Sequence, residues 1–138
     1  MQDEAVRAGG IECGGILVGQ WCADEGDGLA FVKVDHAVPA TDLGASALEF
    51  RLAPETFGAV QEQIHNEWGG SRIVGWSHSH PGPLGTEMSY MDTFSHRHFF
   101  RAPWQVAVIV DPAAGELGAY RWVSGAIERI PGYWSLES

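Results

Sequence analysis

The sequence predicts an α+β fold, one domain over residues 1–138 with a mixed β-sheet flanked by two main helices. Three observations lead there. One segment repeats apolar residues at helical spacing and a second lies between a capping threonine and a bounding proline, while several shorter ones alternate with period two or run apolar throughout. Their order reads βββαβαβββ, with strands clustered at both ends. The 138 residues, 45% apolar and 19% charged, suit one hydrophobic core without disulfide support.

Each element has a local reason. A single helical turn fits Asp3 to Ala8. Ile11 to Gly19 (IECGGILVG) reads as a strand interrupted at Gly14-Gly15, where glycines predict a bulge or a close backbone approach. Ala23 to Gly28 is a turn. Leu29 to His36 alternates, with Ala30, Val32 and Val34 on one side and Phe31, Lys33 and Asp35 on the other. After a loop over Pro39 to Ala45, Leu48 to Leu52 is a short strand. Pro54 opens a helix at a position that tolerates proline. Phe57, Val60, Ile64 and Trp68 share one face of it, and Gly69-Gly70 ends it. Arg72 to Ser79 forms the next strand and runs into a PGPLG loop. Thr86 is placed as the N-cap of a second helix, Glu87 to Phe100, bounded by Pro103. Trp104 to Val110 is an apolar run expected near the centre of the sheet. A turn over Asp111 to Gly115 follows, and Glu116 to Val123 and Ala126 to Ile130 complete the sheet.

Charge narrows the function classes. Eighteen acidic residues against eight basic ones give a formal net charge of −10. That argues against nucleic acid, whose phosphates need Lys and Arg, and against anionic membrane surfaces. No apolar stretch approaches the roughly 18 residues of a spanning helix, and no signal-peptide core follows Met1. Cys13 and Cys22 are too few for a disulfide framework and read as buried thiols. A cytoplasmic location is the expectation that follows.

The chemistry is concentrated in His78-Ser79-His80-Pro81, then seven residues, then Ser89-Tyr90-Met91-Asp92. On a strand, residues i and i+2 project together, so His78 and His80 form half of a metal site. Pro81 ends the strand directly after them, beside a loop open to substrate. Ser89, Asp92 and His96 lie on one stripe of the following helix. If that helix folds back over the strand end, Asp92 joins the two histidines. Two His and one carboxylate form a recognised catalytic zinc set with a fourth position open to water. Glu87 is a minor alternative as general base. His96 and His98 are read as surface or supporting residues rather than ligands. Trp76, Trp104 and Trp122 could line a groove, but core packing is expected for at least two of them.

In these residues the chain resembles the JAMM (JAB/MPN+) zinc metalloprotease family, matching its motif at every fixed position. The resemblance extends upstream to Glu12-Cys13-Gly14-Gly15-Ile16-Leu17-Val18-Gly19 and downstream to Trp104–Pro112, so it covers about Ile11 to Trp122. It implies a JAB/MPN-like, cytidine-deaminase-like architecture. It implies that His78, His80 and Asp92 bind one Zn²⁺, and that Glu12 takes a proton from the zinc-bound water and passes it to the leaving amine. Ser89 would hydrogen-bond the oxyanion. The implied activity is hydrolysis after the C-terminal glycine of a ubiquitin-like protein, whose extended tail lies like an added strand beside the metal. It is a deubiquitinase-like isopeptidase activity without a covalent enzyme intermediate.

The chain is short before Glu12 and has no room for the long insertions of eukaryotic members. It therefore looks like a minimal, prokaryotic-type member. Its substrate would be a prokaryotic ubiquitin-like modifier, a sulfur-carrier protein from which an amino acid is released, or a phage or cell protein. Two readings of another class are a non-catalytic MPN scaffold and a cupin-like metal-binding protein. The cupin spacing wants a glutamate soon after the His-x-His pair, whereas Glu87 comes seven positions after His80, beyond two prolines. Glycine-rich edges and tryptophans permit a homodimer or a partner protein.

Overall fold

The structure, a computed structural model, describes residues 14–23, 30–39, 54–80 and 85–130. The turn expected at Asp3 to Ala8, Glu12 and Cys13, nearly all of the turn expected at Ala23 to Gly28, and the strand expected at Leu48 to Leu52 lie outside them. The described elements are β1 (Gly14–Ala23), β2 (Ala30–Pro39), α1 (Pro54–Glu67), β3 (Arg72–Ser79), α2 (Tyr90–Phe99), β4 (Val106–Asp111), β5 (Glu116–Val123) and β6 (Ala126–Arg129). The six strands form one sheet in the order β2-β1-β3-β4-β5-β6. Among the described strands only β3 and β4 pair in parallel, so the sheet is mixed and the fold is α+β as expected. The parallel crossover from β3 to β4 carries α2, as such a connection requires.

The two faces of the sheet bury different sets of side chains. Ile16, Val18, Ile73, Trp76, Ala107, Ile109 and Tyr120 pack with Val60 and Ile64 of α1 and with Phe100. Leu17, Val74, Val108, Val110 and Ala119 form a second cluster on the opposite face. Helix α1 thus turns its predicted face inward. Val60 and Ile64 are buried, with Phe57 and Trp68 packed at the margin, and each fully buried aliphatic chain contributes roughly 1.5–3 kcal/mol. Gly70, at φ +92°, ends the helix in a conformation that favours glycine.

Glycine also acts where backbones meet. A Cβ on Gly75 would collide with the Val106 carbonyl oxygen, and one on Gly15 would press on that of Val38. The close approach expected at Gly14-Gly15 is therefore present at Gly15. The bulges, however, sit further along the strand. Register shifts occur at Val18/Gly19 against β2 and at Leu17/Val18 against β3. Leu17 pairs with Gly75 and Val18 with Ile73, so Val74 is the extra residue. An extra residue reverses which face the following side chains occupy. Ile73 and Trp76, three residues apart, consequently share the helix-side core. This phase change is what turns Trp76, and His78 two residues on, toward α2.

Helix α2 starts later than expected. It spans Tyr90–Phe99 and its N-cap is Ser89, not Thr86. Thr86 is buried and held from a distance. Its Oγ1 accepts from Arg129 Nη2 at 2.9 Å, and its carbonyl accepts from the Tyr120 hydroxyl at 2.7 Å. These bonds fasten the segment before α2 to β5 and β6. The apolar run Trp104 to Val110 likewise enters the sheet only at Val106, because residues 102–105 close a turn through Gln105 N–H to the Ala102 carbonyl.

Candidate metal centre

His78 is the penultimate residue of β3, and His80 lies just past the strand's end. The sheet still holds His80, whose backbone N–H donates to the Val110 carbonyl at 2.9 Å. Across β1, His78 is in register with Gly14. The imidazole rings stand edge to face, with centroids 4.9 Å apart. Asp92, in the first turn of α2, reaches both. Its Oδ1 lies 2.7 Å from His78 Nε2 and its Oδ2 lies 3.0 Å from His80 Nε2. All three residues are buried, with one potential ligand atom from each within 4.8 Å of the others.

The tautomer of His80 follows from its other nitrogen. Nδ1 lies 3.0 Å from the Gly85 carbonyl, an acceptor only, so Nδ1 carries the proton and donates. In a neutral ring Nε2 then presents a lone pair to the Asp92 carboxylate. Two facing acceptors need a proton or a cation between them. The same outer hydrogen bond to a backbone carbonyl is what metal-ligating histidines use to fix ring orientation. The donor set therefore fits a divalent ion such as those bound by imidazole and carboxylate.

Charge at the site is set by the same contacts. Burial alone would push the Asp92 carboxyl up. Hydrogen bonds to His78 and His80, the charge on His78 and the Ser89 backbone N–H outweigh that and hold it well below the ordinary carboxylate range. Asp92 thus remains a carboxylate at any pH where a metal would bind.

Ser89 and Asp92 cap the helix reciprocally. The Ser89 N–H donates to Asp92 Oδ2 at 2.8 Å, and the Asp92 N–H donates to Ser89 Oγ at 3.1 Å. This capping box supplies the first turn's otherwise orphaned donors. The Ser89 hydroxyl uses a lone pair here, so its proton stays available to another acceptor. Glu87 takes no part, since its exposed carboxylate pairs with Arg129 Nη1 at 3.1 Å. His98 is exposed and stacks on Phe94 at 4.1 Å. Cys22 is a free, half-buried thiol.

The sequence left His96 between surface and supporting roles, and the structure buries it completely. Its Nδ1 accepts from the Trp76 indole N–H at 3.0 Å. The ring also stacks with Phe100 at 5.9 Å and tilts against Trp122 at 5.2 Å. Its Nε2 closes no hydrogen bond of ordinary geometry, although the nearby Gln105 backbone favours the protonated form. Burial, then the charge of Arg97, outweigh this and push the imidazole down to about 4. Position 96 lies on the stripe of Ser89 and Asp92, the one sequence signal that pointed to it. Of the tryptophans, Trp76 is a core residue and Trp104 and Trp122 are half-buried.

A cavity of about 550 Å³ lies at the other end of β3, lined by Phe57, Arg72, Phe99 and Trp104 among others. None of the three converging residues borders it. The chemistry belongs to the donor atoms at the strand's far end.

The mixed α+β fold, the motif spacing and the buried convergence of His78, His80 and Asp92 fit the JAMM (MPN+) family. Over 130 residues the chain is 32% identical to COP9 signalosome complex subunit 5 of Caenorhabditis elegans. The match takes in 88% of this chain and 33% of the relative, so the chain spans about a third of that relative's length. No family model matches the chain. No helix among the described residues is long and apolar enough to cross a membrane.

Proposed function

We propose that the chain, a single domain, is a zinc-dependent isopeptidase or peptidase that cleaves after the C-terminal glycine of a ubiquitin-like modifier. The observation that carries this reading is the buried meeting of His78 Nε2, His80 Nε2 and the two Asp92 oxygens at the end of β3. In it, His78, His80 and Asp92 hold the ion. Bound zinc supplies an activated water and polarises the scissile carbonyl.

The remaining roles fall to the chain. Glu12 accepts the proton of the attacking water and returns it to the leaving amine. Glu12 lies outside the described residues; its role rests on its place two residues before Gly14, the β1 residue that pairs with His78. The Ser89 hydroxyl, its lone pair engaged by Asp92 N–H, donates to the developing oxyanion. The modifier's extended tail lies as an added strand near the metal, where glycines let the backbones approach closely. The relative is by name a subunit of a complex, which favours a partner protein that completes substrate recognition. A cytoplasmic location belongs to the same reading.

The test compares wild type with Glu12→Gln on a modifier–lysine conjugate, with zinc content measured alongside. Turnover in wild type and none in a zinc-loaded Glu12→Gln is the expected result. Equal turnover in both removes Glu12 from the mechanism. No turnover in either, with zinc bound, favours a non-catalytic scaffold.

A further inference from the structure

The side chains behind His78 form a connected unit that the roles above leave unused. Trp76 precedes His78 by two residues on β3, and their rings lie 5.2 Å apart at 43°. The indole is buried and its plane is fixed on two sides. Phe100 stacks on it at 5.9 Å and 15°, and its N–H donates to His96 Nδ1 at 3.0 Å. His96 sits one helical turn beyond Asp92 on α2, so both face β3. The helix therefore meets the strand at two points. Asp92 touches the tips of His78 and His80, and His96 holds the indole against which the His78 ring rests.

We propose that His96 is a positioning residue for the metal centre: by holding the Trp76 indole, it fixes the His78 imidazole for ligation. This rests on the reading of His78, His80 and Asp92 as metal ligands. The choice of residue fits the task. A fully buried imidazole is costly among the rings of Trp76, Phe100 and Trp122, where a leucine of similar volume would bury without a polar group to satisfy. The imidazole supplies what leucine lacks, an acceptor aimed at the indole N–H. Losing an outer partner of a metal ligand weakens binding by about 10–100-fold. His96 acts one ring further out, so the lower end, about tenfold, is expected.

The experiment measures zinc affinity by competition with a chromophoric chelator, together with the Trp76 indole N–H resonance. Wild type is compared with His96→Leu, His96→Asn and Trp76→Phe. Asparagine places its carbonyl oxygen near the position of Nδ1 and keeps the acceptor. His96→Leu and Trp76→Phe should each lose about tenfold in affinity, and His96→Asn should stay close to wild type. The indole resonance should move in His96→Leu and hold in His96→Asn. Trp76→Phe provides the affinity reading if His96→Leu does not fold. Affinities within twofold of wild type in both His96→Leu and Trp76→Phe overturn the proposal. So does equal weakening in His96→Leu and His96→Asn, which would mark a merely structural role. A wild-type chain that binds no divalent ion overturns the metal centre and, with it, this proposal.

Discussion

Ser89 and Asp92 hold each other by two hydrogen bonds, 2.8 Å from the Ser89 N–H to Asp92 Oδ2 and 3.1 Å from the Asp92 N–H to Ser89 Oγ. The carboxylate that faces both histidines is thereby also a helix cap. Its geometry toward the metal position is set by α2's first turn as much as by β3. The arrangement also separates two jobs of one hydroxyl. Glycine is nearly as good an N-cap as serine, costing a few tenths of a kcal/mol, whereas alanine costs about 1 kcal/mol. Ser89→Gly should therefore lose roughly 10²–10³ in turnover, as for a missing oxyanion donor, with its melting temperature almost unchanged. Ser89→Ala should show the same kinetic loss and melt lower. Turnover that follows stability across the two variants would mean that the hydroxyl only caps.

Asp92→Asn keeps an oxygen to accept from the Ser89 N–H and removes the charge between the two histidines. Zinc affinity should fall by roughly tenfold or more, since losing a ligand charge is at least as severe as losing an outer partner. Stripping the ion with a chelator should abolish turnover in wild type, and added zinc should restore it. Zinc at about 100 times its Kd should also stabilise the wild-type fold by about 2.7 kcal/mol, visible as a higher melting temperature. Asp92→Asn should show less of this at the same zinc concentration.

Local patterns carried most of this architecture into the sequence, and non-local ones carried the rest. The apolar spacing Phe57-Val60-Ile64-Trp68 is a property of one helix and was legible at once. The spacing of His78, His80 and Asp92 was equally legible, because a strand pair and a helix turn fix those positions locally. The cap expected at Thr86 lies at Ser89 for a different reason. Both are hydroxyl residues ahead of a helical pattern, and what claims Thr86 is Arg129 and Tyr120, 43 and 34 residues away. The bulge at Val74 is likewise set by registration against β1. The partner of His80 Nδ1 is a backbone carbonyl, which no side-chain pattern announces. His96 stood on a visible stripe, but its purpose depends on an indole from another element.

The bulge makes a second prediction about the metal centre. Gly75 lies between Leu17 of β1 and Val106 of β4, next to the extra residue Val74. A Cβ there would strike the Val106 carbonyl, a backbone atom that cannot swing aside. Gly75→Ala should force β3 from β4 and destabilise the fold by about 1–3 kcal/mol, as overpacking does. The strain falls three residues from His78, so zinc affinity should drop as well. By contrast, a Cβ added at Gly58 on α1 would meet nothing within 4 Å. Gly58→Ala should leave zinc binding alone and stabilise the helix by up to about 1 kcal/mol. Equal melting temperatures for the two variants would show that the strand contact tolerates a methyl group.

His96 gives the metal-free chain a defined acid sensitivity. Its imidazole is pushed from 6.5 to about 4 by burial and by Arg97, so the folded state resists the proton that the unfolded chain accepts. Above about pH 6.5 neither state binds it and the group has no effect on stability. As pH falls from about 6.5 toward about 4 the unfolded state alone takes up a proton, and stability declines. The span amounts to on the order of 3 kcal/mol once both states are protonated. Denaturant unfolding of the zinc-free chain between about pH 7 and about pH 4 should show this slope. His96→Asn, which cannot titrate but keeps the acceptor for Trp76, should remove it. Asp92, held below the ordinary carboxylate range, adds its own loss only as pH drops through and below that range. A slope unchanged in His96→Asn would assign the acid sensitivity to other groups.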